Sequence, residues 1–246
     1  MKNIVYVKRA NYFLFKIVVV AVLFVLLAGA VSFFGIKRIS KTVASQQTLD
    51  TDKITIVIDA GHGGIDAGAE VSGIYEKDLN LAISQRICDF LSLYNVKCIL
   101  TRDKDILLAE ESAKRKKQSD LLNRVNVARS CESPVFVSIH MNKFPIEKYS
   151  GLQVFYSGNN SLSETLAEII QTNVVKNTQN DNNRKIKEAG SAIYVLDRLS
   201  CPAVLVECGF MSNKTELSLL STPDYQDTLA YIISVSILQF LSLQET

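Results

Sequence analysis

The sequence predicts an α/β fold: a mainly parallel twisted sheet flanked by helices on both faces, preceded by one N-terminal transmembrane or signal-anchor helix. Three observations carry this. Short continuous apolar runs rich in β-branched residues recur along the chain, the pattern of strands covered on both faces. Between them lie segments whose apolar residues return every three to four positions, as in helices packed by one side. The first forty residues hold a long uncharged stretch unlike anything later in the chain. Strands alternating with helices imply parallel neighbours joined by crossovers, and ligands in such sheets bind beyond the carboxyl ends of the strands.

The elements follow in order. Ile17–Ile36 carries no charge, and twenty helical residues at 1.5 Å each span about 30 Å, the thickness of a bilayer core. Lys2, Lys8, Arg9 and Lys16 precede it, whereas Lys37, Arg38 and Lys41 follow, so the positive-inside rule sets its orientation weakly. Ala28-Gly29-Ala30 offers a cleavage site that would make the protein secreted; the apolar run continuing through Phe33 and Phe34 favours an uncleaved anchor. The chain therefore divides into an N-terminal cytoplasmic segment and membrane anchor (1–38), a polar linker (39–53) and a working domain (54–246). Within the domain, strands are expected at Ile54–Ile58, Lys97–Thr101, Val135–Ile139, Gly151–Tyr156, Ile193–Leu196 and Ala203–Val206. Helices are expected at Lys77–Tyr94, Asp120–Ser130, Leu162–Thr178 and Asp224–Leu243, the last striped by Leu229, Ile233, Ile237 and Phe240.

Composition narrows the function. At 48% hydrophobic and 21% charged, a 246-residue chain is not disordered-like. A net charge of +2 argues against nucleic acid as a partner. With four prolines and no tryptophan, nothing resembles a proline-rich stalk or an aromatic sugar-binding module. The five cysteines form no CxxC pair, so a four-sulfur zinc site has no support, and most are expected to be small buried hydrophobes. The Lys114-Arg115-Lys116-Lys117 run reads as a solvated face, and Asp181-Asn182-Asn183-Arg184 as a turn.

The candidate chemistry gathers at predicted strand ends. His62 and His140 are the only two histidines; one sits in Asp59-Ala60-Gly61-His62-Gly63-Gly64 after the first strand, the other in Ser138-Ile139-His140-Met141-Asn142 after the third. The glycines permit positive φ and let an imidazole project into a cleft. A phosphate-cradling loop is the competing reading, but GxGxxG and a P-loop lysine are both missing. Glu76 opens a helix, where a carboxylate serves the helix dipole or points back to the same strand ends. Two histidines and one carboxylate with a vacant fourth position form the pattern of catalytic zinc. Glu207, after Val204-Leu205-Val206, stands where it could move protons, since a carboxylate ending an apolar strand is costly to bury without compensation. Asp59 either orients His62 or caps a turn. Cys208 as a nucleophile and a non-catalytic binding protein with a structural zinc site remain the alternatives.

The run IVIDAGHGG, then YEKDLNLA, FVSIHMN and PAVLVECGFMSN resembles the zinc-dependent N-acetylmuramoyl-L-alanine amidase family of the "amidase 3" type, from about Ile54 to Leu241. The resemblance implies His62, Glu76 and His140 as Zn2+ ligands, Glu207 as the catalytic glutamate, and hydrolysis of the amide between N-acetylmuramic acid and L-alanine in peptidoglycan. Arg102, Arg124, Asn126 and Asn142 match recurrent positions, expected to shape the strand ends or touch substrate. The absence of wall-binding repeats and of room for an inhibitory insertion between Tyr156 and Ala192 resembles the membrane-anchored spore-cortex (germination-specific) subgroup. That implies stem-peptide removal on the way to muramic-δ-lactam, outside the cytoplasmic membrane in the cell envelope or forespore intermembrane space. Vegetative wall turnover or cell separation is the alternative, and an accessory protein for placement or activation is a further expectation.

Overall fold

A computed structural model describes residues 53–244. The expected anchor and all of the linker but Lys53 lie outside the described residues; among those described, no helix is long and apolar enough to cross a membrane. Strand β1 (Ile54–Ala60) is buried at every position but its first and pairs in parallel on both sides. A small hairpin follows, β2 (Glu70–Val71) and β3 (Ile74–Tyr75), turning through Ser72 and Gly73, both at positive φ as a two-residue hairpin turn demands. Helix α1 (Glu76–Ser92) leads to β4 (Cys98–Leu100), and α2 (Lys116–Arg129) to β5 (Ser133–Asn142). Then come β6 (Gln153–Tyr156), α3 (Leu162–Thr178), β7 (Lys187–Glu188), a 3-10 turn at Gly190–Ala192, α4 (Tyr194–Arg198), β8 (Ala203–Phe210), α5 (Lys214–Leu220) and α6 (Pro223–Ser242).

The six-stranded sheet runs β4-β1-β5-β8-β6-β7. The β4/β1, β1/β5, β5/β8 and β6/β7 pairs are parallel; β6/β8 alone is antiparallel. Alternate side chains on each strand serve opposite faces. Ile56, Ile58, Val137, Ile139, Val204 and Val206 pack with Ile83 of α1, Ile170 of α3 and Ile233 of α6. On the other face Val57, Phe136, Ala203 and Leu205 meet Val125 of α2 and Leu196 of α4, a smaller cluster. Helices thus cover both faces, as the alternation of strand and helix implied.

Some expectations are corrected. Ile193–Leu196 is not a strand: Tyr194–Arg198 is helical, with Val195 and Leu196 buried. A short apolar run of this length suits either element, and tertiary packing decides. The strand of this region is instead the two-residue β7, charged and exposed, with no apolar signal to find. β5 and β8 run further than expected, so His140 and Glu207 lie within strands rather than after them. Helix α5, its N-terminus capped by the Asn213 side chain accepting from Glu216 N at 3.1 Å, was not foreseen. Nor are most cysteines plain buried hydrophobes. Cys88 of α1 and Cys98 of β4 form a disulfide, Cys131 and Cys201 are half-buried, and only Cys208 is fully buried.

Candidate active site

The carboxyl edge of the sheet collects four side chains from four segments. His62 comes from the loop after β1, held at φ 62°, a left-handed conformation that costs a non-glycine residue energy and turns its ring into the site. Glu76 is the first residue of α1 and is buried, while His140 belongs to β5 and Glu207 to β8. His140 and Glu207 are direct partners in the parallel β5/β8 ladder, so both side chains leave the same face of the sheet.

Glu76 is the hub. Its Oε1 lies 3.2 Å from His62 Nε2 and 3.0 Å from His140 Nδ1, and accepts from Met141 N at 3.2 Å; Oε2 accepts from Ala69 N at 2.8 Å. Burial alone would raise this carboxyl's pKa, but the two imidazoles outweigh it and hold Glu76 well below the usual carboxylate range. Burial would likewise lower His62, yet Glu76 and Asp66 prevail and raise it. The ligand atoms of His62, Glu76 and His140 all fall within 4.8 Å of one another, a separation at which one cation can touch all three. The two rings meet edge to face with centroids 5.0 Å apart.

Two glycines make room. A Cβ on Gly61 would overlap the His140 ring, and one on Gly68, itself at φ 68°, would stand 2.6 Å from Glu76 Oε2 and 2.8 Å from His62 Cδ2. Glu207 sits beside this cluster with Oε2 sealed from solvent and without a hydrogen-bonding partner. Burial pushes its carboxyl up to about 7, with Glu76 adding to the rise and the two histidines opposing it. An unsatisfied buried carboxylate oxygen is costly unless a proton or a cation is supplied to it. A donor set of two imidazoles and a carboxylate, with an orphaned acid alongside, suits a catalytic zinc ion.

The remaining expected residues divide between bracing the loop after β1 and lying apart from the site. Asp59 does not touch His62. Its Oδ1 accepts from Arg124 Nη1 at 2.7 Å and Thr101 Oγ1 at 2.6 Å, and Oδ2 from Ser138 Oγ at 2.7 Å. Arg124, 2% exposed, also donates to the carbonyls of Ala60 and His62 and pairs with Asp120. Arg102, equally buried, donates to the carbonyls of Ala60, Gly61 and Lys77. Both arginines brace the His62 loop from beneath and have no surface left for substrate. Asn126 is exposed on α2 and its side chain joins nothing in the site, whereas Asn142 is half-buried and closes β5 by main-chain pairing to Phe210. The residues not foreseen are Asp66, whose Oδ2 lies 3.0 Å from His62 Nδ1 though off the line of a hydrogen bond, and Asn80, which donates to Gly61 O at 3.1 Å. Their signals were spacing: Asp66 is four residues after His62, and Asn80 one helical turn after Glu76. Cys208 points to the opposite face of β8 from Glu207, and its burial drives the thiol pKa up, which removes the nucleophile reading.

Comparison with known proteins agrees with this geometry. The family described as N-acetylmuramoyl-L-alanine amidase matches residues 56–239. The germination-specific N-acetylmuramoyl-L-alanine amidase of Bacillus subtilis is 38% identical over 190 residues, covering 76% of this chain and 79% of that one. The CwlD amidase from Clostridioides difficile, solved in complex with the GerS lipoprotein, superposes with a TM-score of 0.73 at 37% identity over 77% of this chain and 98% of that one. AmiC2 of Nostoc punctiforme gives a TM-score of 0.67 at 32% identity over 77% and 97% of the respective chains. With most of its length matched and its site residues brought to one sheet edge, this chain belongs to the N-acetylmuramoyl-L-alanine amidase family and is an enzyme of that kind.

Proposed function

We propose that this amidase is zinc-dependent, that His62, Glu76 and His140 hold the metal, and that it strips stem peptides from spore-cortex peptidoglycan as a step towards muramic-δ-lactam. The observation that carries the metal assignment is the convergence of His62 Nε2 and His140 Nδ1 on Glu76 Oε1. Zinc held by these three residues would supply a Lewis acid for the scissile carbonyl and lower the pKa of the attacking water.

The chain's own residues do the rest. Glu207 takes a proton from the attacking water and returns it to the departing nitrogen, so that as the C–N bond breaks L-alanine leaves as a neutral amine and the lactyl carbonyl is left as a carboxylic acid. Burial raises its carboxyl pKa while a neighbouring cation would pull it back, and its Oε2 has no other hydrogen-bonding partner, so it is free to take up and give back a proton. Gly61 and Gly68 let both imidazoles approach Glu76, while Arg102 and Arg124 hold the loop carbonyls behind His62. The cortex role is supported by the likeness to a germination-specific relative. An accessory lipoprotein partner is supported by the likeness to an amidase solved with one. We assign 1–38 as the anchor that keeps the 54–246 domain outside the cytoplasmic membrane, on the strength of the uncharged run from Ile17 to Ile36.

The test is digestion of defined peptidoglycan followed by mass spectrometry of the muropeptides. The expected products are peptides with free L-alanine amino termini and muramic acid without peptide. A chelator abolishes release and added zinc restores it. Glu207→Gln retains one zinc per chain while activity falls on the order of 10²- to 10⁴-fold; an undiminished rate in that variant removes Glu207 from the mechanism. Spore cortex lacking muramic-δ-lactam after gene deletion supports the cortex role, and normal lactam content contradicts it.

A further inference from the structure

We propose that Arg184 binds a free carboxylate on the peptide arm of the substrate, so that it sets which stem peptides the enzyme accepts; this rests on the amidase reading of the site above. The proposal begins with a row of side chains. His140 of β5 is in register with Glu207 of β8, and Glu207 is in register with Gln153 of β6. Partners in a ladder point to the same face, so metal ligand, proton carrier and Gln153 form a line across the sheet edge.

Arg184 extends that line. Its Nη1 donates to Gln153 Oε1 at 3.2 Å and its Nε to the Ser150 carbonyl at 2.8 Å. The guanidinium carbon stands 4.5 Å from the centroid of Phe210 and 5.9 Å from that of Tyr149. Two hydrogen bonds and two aromatic rings thus hold the charged fork still. Glu216 lies near enough to feel its charge, but no carboxylate among the described residues comes within ion-pair distance, and its Nη2 bonds to nothing described. Arginine is favoured where a planar carboxylate must be recognised, because its fork is built in advance for that shape.

The direction and distance fit the peptide side of the scissile bond. Glu207 serves the departing nitrogen, so what lies beyond Glu207 from His140 meets the peptide rather than the sugar. One strand spacing of about 4.8 Å separates Glu207 from Gln153, and Arg184 is a hydrogen bond further on. That is roughly two residues of extended peptide at about 3.3 Å each, which places the guanidinium beside the residue following L-alanine. A free carboxylate there is the group that it would grip.

The experiment compares two soluble muramoyl peptides, one with a carboxylate on the second amino acid and one with a carboxamide, against wild type, Arg184→Lys and Arg184→Gln, each zinc-loaded. Wild type is expected to prefer the carboxylate substrate. Arg184→Gln is expected to lower kcat/KM on it by about 10- to 100-fold, mainly through KM, the range for a hydrogen bond to a charged group, and to change the carboxamide substrate by less than about threefold. Arg184→Lys is expected to recover part of the preference. Calorimetry of the released carboxylate peptide gives a readout that does not depend on hydrolysis: its affinity is expected to fall in parallel in Arg184→Gln. Equal losses on both substrates would make Arg184 a brace for the loop at Ser150 and overturn the proposal, as would an unchanged preference. A wild-type enzyme that cleaves neither substrate yet binds the peptide through Arg184 would instead sink the reading of the metal centre.

Discussion

At the scale of single residues, the site depends as much on what is missing as on what is present. Gly61 has no side chain, and the His140 imidazole fills the space that one would take. Gly61→Ala is therefore expected to leave the far-ultraviolet circular dichroism unchanged but to lower zinc affinity on the order of 10- to 100-fold, the scale on which groups that orient metal ligands act. Unaltered zinc uptake in that variant would show that His140 can move at no cost. Asp59 gives a second prediction. Burial pulls its pKa up, but Arg124, Ser138 and Thr101 together hold it below the ordinary value. A carboxyl depressed in the fold contributes its full stability above its unfolded pKa of about 3.9, and loses it as the pH falls through the lower folded value. Asp59→Asn should therefore cost roughly 3–5 kcal/mol at pH 7, where it strips a partner from a buried guanidinium. The gap to wild type should narrow as the pH drops below about 4. Denaturant melts at the two pH values check this, and a gap independent of pH contradicts it.

At the scale of elements, the two strands that overrun their expected ends are the ones that bring His140 and Glu207 to the candidate site. Residue pattern alone stopped β5 at Ile139 and β8 at Val206, because a polar side chain ends an apolar run in the sequence. The ladder continues regardless, since main-chain hydrogen bonds do not require apolar side chains, and its register shift between His140 and Asn142 marks where regular pairing stops. The charged β7 and the helical α4 were illegible for the opposite reason: their identity is set by neighbours and not by their own pattern. The link between α1 and β4 is covalent as well as packed. Closing a ten-residue separation, the Cys88–Cys98 disulfide is expected to stabilise by about 2–3 kcal/mol, so Cys88→Ser should lower Tm on the order of 5–10 °C. A phosphine reductant should lower wild type to the same value and leave the variant where it is. A wild-type Tm indifferent to reductant would mean that the bond adds nothing.

At the scale of the whole molecule, the architecture could be read in advance because buried parallel strands and one-sided helices write opposite patterns into the chain. The set of His62, Glu76, His140 and Glu207 was legible for a related reason. Uncommon or charged residue types directly after apolar runs fall at one edge of such a sheet. The supporting residues were legible only as recurrent family positions, without their tasks. Nothing in the sequence shows that Arg102 and Arg124 are sealed beneath the loop, or that Asn126 faces solvent on α2, because burial belongs to the assembled structure. Strand order carries a last consequence. β8 is the final strand to leave the ribosome, yet it slots between β5 and β6. Until it arrives β5 and β6 lack their shared partner, and Glu207 is missing from the sheet edge. The edge on which the four side chains meet is therefore complete only once this last strand is seated between its neighbours.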